Sequence, residues 1–64
     1  MEPTILENPA DGLKAEIQPI INARYSHRVR CIDSDADAVF AEIFTQSGDE
    51  AIKIAKSFVE SVAV

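Results

Sequence analysis

The apolar residues in the first third of the chain recur with the period of a helix. Asn8, Pro9 and Asp11 fit a helix N-cap, a proline at the first helical position and an acid in the first turn. Pro19 removes a backbone donor, so a bend is expected there. We therefore predict a first helix over residues 9–25 with one apolar stripe. The stripe comprises Leu13, Ile17, Ile20, Ile21 and the pair Arg24/Tyr25.

Residues 28–33 alternate instead of following a helical period. Val29 and Cys31 fall on one side, and Arg28 and Arg30 fall on the other. Two-residue alternation with β-branched side chains is typical of a strand. This segment is the first predicted strand.

A second apolar run, residues 38–45, follows the turn-forming residues 34–37. The two runs and the turn between them predict an antiparallel hairpin. The second run also has helical spacing, so the alternative is a mostly α protein in which residues 35–47 are helical. The hairpin is preferred because a lone buried strand would leave its backbone donors and acceptors unpaired.

The last element is the most clearly marked helix. Ser47 and Glu50 fit a capping box. One face then carries Ala51, Ile52, Ala55, Phe58, Val59 and Val62. The predicted fold class is therefore α+β, a small single domain over residues 9–64 in the order α-β-β-α, with the hairpin packed on two helices. Residues 1–8 are predicted to be an N-terminal arm.

Size and charge restrict the function. Sixty-four residues allow one small domain, since domains usually run to about 100 to 150 residues. The net charge of −5 disfavours non-specific binding to nucleic acid or anionic lipid. Because the single cysteine, Cys31, cannot form an internal disulfide, the expected compartment is the cytoplasm. The chain shows no secretory leader and no apolar run of about 18 residues, so neither secretion nor a membrane span is expected.

The predicted hairpin places three large apolar side chains on one face. Ile32, Phe40 and Phe44 would form a cluster that two short helices cannot cover. A two-stranded sheet also has two open edges. We therefore expect a homodimer, or binding to another protein, with these residues as anchors. The predicted function is that of an acidic, non-enzymatic protein-binding or regulatory module, such as a stoichiometric inhibitor.

The segment RYSHRVR, residues 24–30, holds half of the basic residues. Arg24, Tyr25, Arg28 and Arg30 could contact phosphates and stack on bases, which makes nucleic-acid binding the alternative function. The competing interpretation is that the arginines neutralise acids of this chain, such as Glu42 across the hairpin. An acidic partner would meet the same four residues.

Metal binding and catalysis are not predicted. Asp33, Asp35 and Asp37 have the spacing of the first ligands of an EF-hand loop, but Ala38 and Phe44 stand where that loop needs a glycine and a glutamate. A hairpin turn explains the three acids better.

His27 and Cys31 are the only histidine and cysteine. On a strand they would be about 13 Å apart, too far for a catalytic pair. Cys31 is expected to be a buried core residue. We predict no enzyme activity, no metal and no cofactor.

From Leu13 onward, the predicted order of helix, strand, acidic turn, strand and helix resembles the C-terminal part of a KH RNA-binding domain. The last helix opens with SGDEAIKIAK, residues 47–56. The resemblance implies an RNA-binding fold. That family holds the nucleic-acid backbone with a GxxG loop, where this chain has residues 8–12, NPADG, with Asp11 among them.

Overall fold

The computed structural model describes residues 3–60 as four strands followed by one helix. The strands form one antiparallel sheet in the order β1-β2-β3-β4, so each strand pairs with its neighbours in sequence. The predicted α+β class is confirmed. The elements are β1 (Thr4–Asn8), β2 (Leu13–Pro19), β3 (His27–Asp33), β4 (Ala38–Thr45) and α1 (Gly48–Glu60).

The predicted first helix is wrong, because its residues form a tight turn and β2. Leu13 and Ile17 are four residues apart, a spacing that fits both a helix and a strand. The deciding signal is the alternation of Lys14, Glu16 and Gln18 with apolar residues. Residues 4–8, assigned to an arm, form β1, which pairs with β2. The resemblance to a KH domain fails here, since that resemblance needs a helix before β3.

The predicted hairpin is confirmed as β3 and β4, and the alternative helix over residues 35–47 is wrong. β3 pairs with β2 on one side and β4 on the other, so both sets of its backbone groups have partners. The Asp33 carboxylate accepts hydrogen bonds from the backbone N–H groups of Asp35 (3.0 Å) and Ala36 (3.2 Å). The acidic segment is therefore a turn, as its composition predicts.

A bulge interrupts the β3–β4 register between Cys31 and Ile32. Cys31 is opposite Ala41, but Ile32 is opposite Val39, so Phe40 has no partner on β3. One extra residue on one strand shifts every side chain beyond it relative to the neighbouring strand. The strict alternation assumed from the sequence therefore breaks at Phe40.

The last helix is confirmed, with Ser47 as its cap. The backbone N–H of Glu50 donates to Ser47 Oγ at 3.1 Å, which satisfies one of the free donors of the first turn. Ala51, Ala55 and Val59 are buried. Ile52, predicted on the buried face, is exposed, and Ile54 packs against the core instead. Val62 lies outside the described residues.

The helix covers one face of the sheet, here called the helix face. Alternate residues of β2 and β3 point toward it, so Ala15, Ile17, Val29 and Cys31 are buried against the helix. The intervening residues lie on the opposite face, here called the open face. No helix within residues 3–60 is long and apolar enough to cross a membrane.

Two turns meet at one end of the sheet. The backbone N–H of Ser34 donates to the carbonyl of Gly12 at 2.9 Å, and the Asp35 carboxylate lies where a side chain at position 12 would extend. Gly12 has a φ of 67°, which residues with a side chain adopt only at a cost. This turn therefore needs glycine for its conformation and for the close approach.

Candidate functional site

The outer edge of β4 carries three of the six large apolar residues that are exposed within residues 3–60. Within residues 3–60, no strand pairs with the outer side of β4. Val39, Phe40 and Phe44 are 54%, 63% and 45% exposed. An edge strand presents unpaired N–H and C=O groups, so it is a template for another strand. We call residues 38–45 the β4 edge.

Phe40 lies on the helix side of the β4 edge. Its ring centroid is 6.2 Å from that of Phe58, with the planes at 62° in an edge-to-face arrangement. Phe58 itself packs against the core. The prediction that Phe40 shares a face with Ile32 and Phe44 is therefore wrong, because the bulge at Phe40 turns its ring toward α1.

Phe44 lies on the open face and contacts Tyr25, with ring centroids 5.7 Å apart and planes at 37°. The loop that carries Tyr25 is fixed by two backbone hydrogen bonds, from Ile20 to Ser26 (2.9 Å) and from Ser26 to Thr45 (2.8 Å). The sequence brings these two aromatic rings together without an obvious motif. They form a partly exposed aromatic pair at the C-terminal end of β4.

Ile32 is the third predicted anchor, and only 8% of it is exposed. It lies on the open face opposite Val39, so the surface it can offer to a partner is small. Val39 takes its place as an exposed apolar side chain. The sequence pattern missed Val39 because the bulge, which moves it to the open face, arises from the pairing of β3 with β4.

The cationic residues of β3 lie beside acids of the same chain. Arg30 Nε is 3.2 Å from Glu42 Oε2, and Arg28 Nε is 3.9 Å from the same oxygen. Arg28 Nη2 also donates to Gln18 Oε1 at 2.6 Å. The buried Nε of Arg28 has no hydrogen-bond partner within residues 3–60, so its attraction to Glu42 is electrostatic only. These distances agree with the interpretation that the arginines pair with Glu42 across the hairpin.

Charge is balanced across the strands of the open face. Glu16 is opposite Arg30, which in turn is opposite Glu42, so one arginine stands between two carboxylates. Among residues 3–60, three bases and three acids share this face in the strand register, so their charges sum to zero. They are Lys14, Arg28 and Arg30, with Glu7, Glu16 and Glu42.

Arg24 is exposed in the loop before β3, away from these pairs. Its backbone N–H donates to Asn22 Oδ1 at 2.8 Å, and that of Tyr25 donates to the same oxygen at 3.3 Å. These two hydrogen bonds to the Asn22 side chain thus fix the backbone conformation of the loop. Of the four predicted cationic-patch residues, Arg28 and Arg30 lie on the sheet, whereas Arg24 and Tyr25 lie at its end.

His27 and Cys31 are both on β3, four residues apart, and are not brought together. The Nδ1 of His27 is 2.7 Å from the hydroxyl of Ser26. Cys31 is buried, as predicted, and burial raises the pKa of its thiol. A buried thiol with a raised pKa is a poor nucleophile at neutral pH.

Across residues 3–60, no group of three His, Cys, Asp or Glu side chains is placed to hold a metal ion. The Asp33 carboxylate is instead engaged with the turn backbone. Comparison with known protein families, curated proteins and solved structures finds no match to this chain.

Proposed function

We propose that this protein is an acidic, non-enzymatic protein-binding module that acts through the β4 edge. The observation that carries the proposal is an eight-residue strand whose outer side pairs with no other strand among residues 3–60, with exposed apolar side chains on both faces. A strand added by a partner would pair with the free backbone groups, and its neighbours would cover the side chains.

The size of the apolar contribution indicates what kind of contact is required. Complete burial of one phenylalanine is worth roughly 1.5 to 3 kcal/mol, and Phe40 and Phe44 still have 63% and 45% of their surface to bury. Association costs about 4 to 15 kcal/mol in lost freedom of motion. The two rings alone would not hold a partner, so backbone pairing along the strand has to contribute as well.

The net negative charge of the chain indicates which sign of charge a partner should carry around its binding surface. The net charge is −5, while the open face is balanced, so the excess acid lies elsewhere, including Asp35, Asp37, Asp49 and Glu50, all of them exposed. Complementary charge raises association rates and excludes partners of the wrong sign. A module of this kind fits a regulatory role, such as stoichiometric inhibition of a protein with a basic rim around its binding surface.

The nucleic-acid alternative is less well supported by the same geometry. Arg28 and Arg30 both face Glu42, so phosphate would have to compete with a carboxylate already in place. The Tyr25–Phe44 pair could stack on bases, but the open face around it has no net positive charge to attract a polyanion.

The test is capture from nuclease-treated extract of the source cell, with the wild-type chain compared with Val39→Lys. A lysine on an edge strand opposes strand addition. Ile52→Lys is the matched control, because Ile52 is a similarly exposed apolar residue on α1. A protein retained by the wild type and the control, and lost with Val39→Lys, is expected.

Equal retention by all three chains would contradict the proposal. Capture of nucleic acid from untreated extract, lost with rising salt and lost in an Arg28→Ala/Arg30→Ala variant, would favour the alternative.

A further inference from the structure

We propose that the partner of the β4 edge is a second copy of this chain, paired antiparallel so that two four-stranded sheets become one eight-stranded sheet. This inference rests on the proposed function, since it names the occupant of the same surface.

The exposed apolar side chains of the β4 edge lie on both faces of the sheet. Phe40 is on the helix side, near Phe58, and Phe44 is on the open side, near Tyr25. A partner lying on one face would cover one ring and leave the other in water. A partner sheet joined in the same plane, with a helix on one of its faces, can cover both.

A second copy has this shape. A two-fold axis perpendicular to the sheet pairs β4 with itself antiparallel and keeps both helices on the same side. Phe40 of each copy then faces the helix side of the other copy. Phe44 of each copy faces the other copy's open side, where Val39 is also exposed. The same contact therefore occurs twice.

The two edges of the sheet differ in their protection against such pairing. β1 has five residues, carries Glu7 and follows Pro3. Short length, charge and proline all discourage strand addition. β4 has eight residues with no proline or lysine, and its single charged residue, Glu42, is paired with arginines of its own chain. The β4 edge lacks the short length and the proline of β1, although the bulge at Phe40 interrupts its regular pairing.

Charge along β4 favours the antiparallel arrangement. The strand starts beside the acidic turn that contains Asp35 and Asp37, and it ends beside the loop that carries the exposed Arg24. Antiparallel pairing places the acidic start of one strand next to the basic end of the other, twice per dimer. Asp49 and Glu50 also lie near that end, but they belong to the helix side.

The axis cannot pass through Glu42, because two carboxylates would then be directly opposite each other. Any register centred elsewhere on β4 keeps each Glu42 beside the arginines of its own chain. This restricts the symmetric pairings that are available.

The first experiment is sedimentation velocity of the full chain over a wide micromolar range. We expect a monomer–dimer equilibrium for the wild type. The dissociation constant of the dimer should be at least tenfold higher for Val39→Lys. Ile5→Lys is the matched control, since Ile5 lies on the β1 edge and is 47% exposed against 54% for Val39. That variant should dimerise like the wild type.

Charge is tested with Arg24→Glu against Lys56→Glu, which changes the net charge equally from an exposed position on α1. Arg24→Glu should weaken the dimer several-fold more than Lys56→Glu. Equal effects would overturn the proposed charge pairing.

Hydrogen exchange of the wild type avoids any loss of folding in the variants. Outward amides of β4 should become protected as the concentration rises, and those of β1 should not. A chain that stays monomeric throughout, or a dimer lost with Ile5→Lys but kept with Val39→Lys, overturns the inference. Capture of a different protein that depends on Val39 would leave the proposed function standing, so the two failures are distinguishable.

Discussion

The side-chain amide of Asn8 donates a hydrogen bond of 2.7 Å to the backbone carbonyl of Val59. This bond joins the last residue of β1 to the last turn of α1, across 51 positions of sequence. Carbonyls in the last turn of a helix have no partner within the helix. The same amide nitrogen also donates to Asp11 Oδ2 at 2.8 Å. The sequence predicts that Asn8 caps the start of a helix. In the structure its side-chain amide instead donates to a carbonyl in the last turn of α1.

Replacing Asn8 tests this relationship. Asn8→Ala should lower the free energy of unfolding by about 1 to 2 kcal/mol, because a part-buried carbonyl loses its donor. Asn8→Asp should lower it further at neutral pH, since a carboxylate has no donor and would face Asp11 and the negative end of the helix dipole. Urea unfolding measures both variants.

Ser57→Ala serves as the control, since Ser57 is exposed on α1, and it should change stability little. Asn8→Asp as stable as wild type would show that the bond to Val59 contributes nothing.

The turn at Gly12 gives a second prediction. Gly12→Ala should destabilise the protein by about 1 to 2 kcal/mol through its positive φ alone, with a further cost from the approach to Asp35. Gly48→Ala is the control, because a methyl group there would meet only the His27 ring, at 3.4 Å. In thermal unfolding, Gly12→Ala should therefore have a lower midpoint temperature than Gly48→Ala.

Adding Asp35→Ala to Gly12→Ala should recover part of the loss, since it removes the carboxylate but not the strained φ. If the double variant is no more stable than expected from the two single variants, the close approach is not a cost.

Burial of Cys31 predicts how stability depends on pH. Burial raises the pKa of the thiol above its ordinary value of 9.0, so the unfolded chain releases this proton at lower pH than the folded chain. The contribution to stability is complete below pH 9.0 and is lost as pH rises toward the folded pKa. Urea unfolding should show a decline over this alkaline range that is smaller in Cys31→Ala.

Thiol labelling checks the same burial independently. A disulfide reagent should modify Cys31 slowly in the native protein and rapidly in denaturant. Fast labelling of the folded protein would contradict the buried position.

Glu42 provides a prediction about the arginines. Glu42→Gln should release Arg28 and Arg30 and increase retention on an immobilised polyanion, while stability falls by no more than about 1 kcal/mol, because these ion pairs are partly exposed. Glu60→Gln, at an exposed position at the end of α1, changes the net charge equally and is the control. Equal retention by both variants would mean that Glu42 does not mask the arginines.

The sequence predicted α1 and the β3–β4 hairpin because their signals are local. Ser47 caps the helix, and residues 34–37 form the turn. The sequence did not predict β2, because the spacing of Leu13 and Ile17 fits both a helix and a strand. The pairing of β2 with β1 and β3 decides between the two structures, and that pairing is not local in sequence.

The site was only partly predictable for a related reason. Phe40 and Phe44 were found as exposed apolar residues, but the bulge that places them on opposite faces depends on how β4 aligns with β3. A shift of one residue in register exchanges the faces of a strand. No pattern within β4 itself signals that shift.

The contact between Gly12 and the acidic turn restricts where the chain can accept extra residues. At that end of the sheet the two turns are bonded to each other, so an inserted segment would disrupt the contact between them. At the opposite end, residues 21–23 are exposed and lie between the hydrogen-bonded positions Ile20 and Ser26. Epitope tags or fluorescent labels should be accepted at the exposed Ile21, ahead of the bonds that Asn22 makes to Arg24 and Tyr25, and natural length variation should concentrate at that connection.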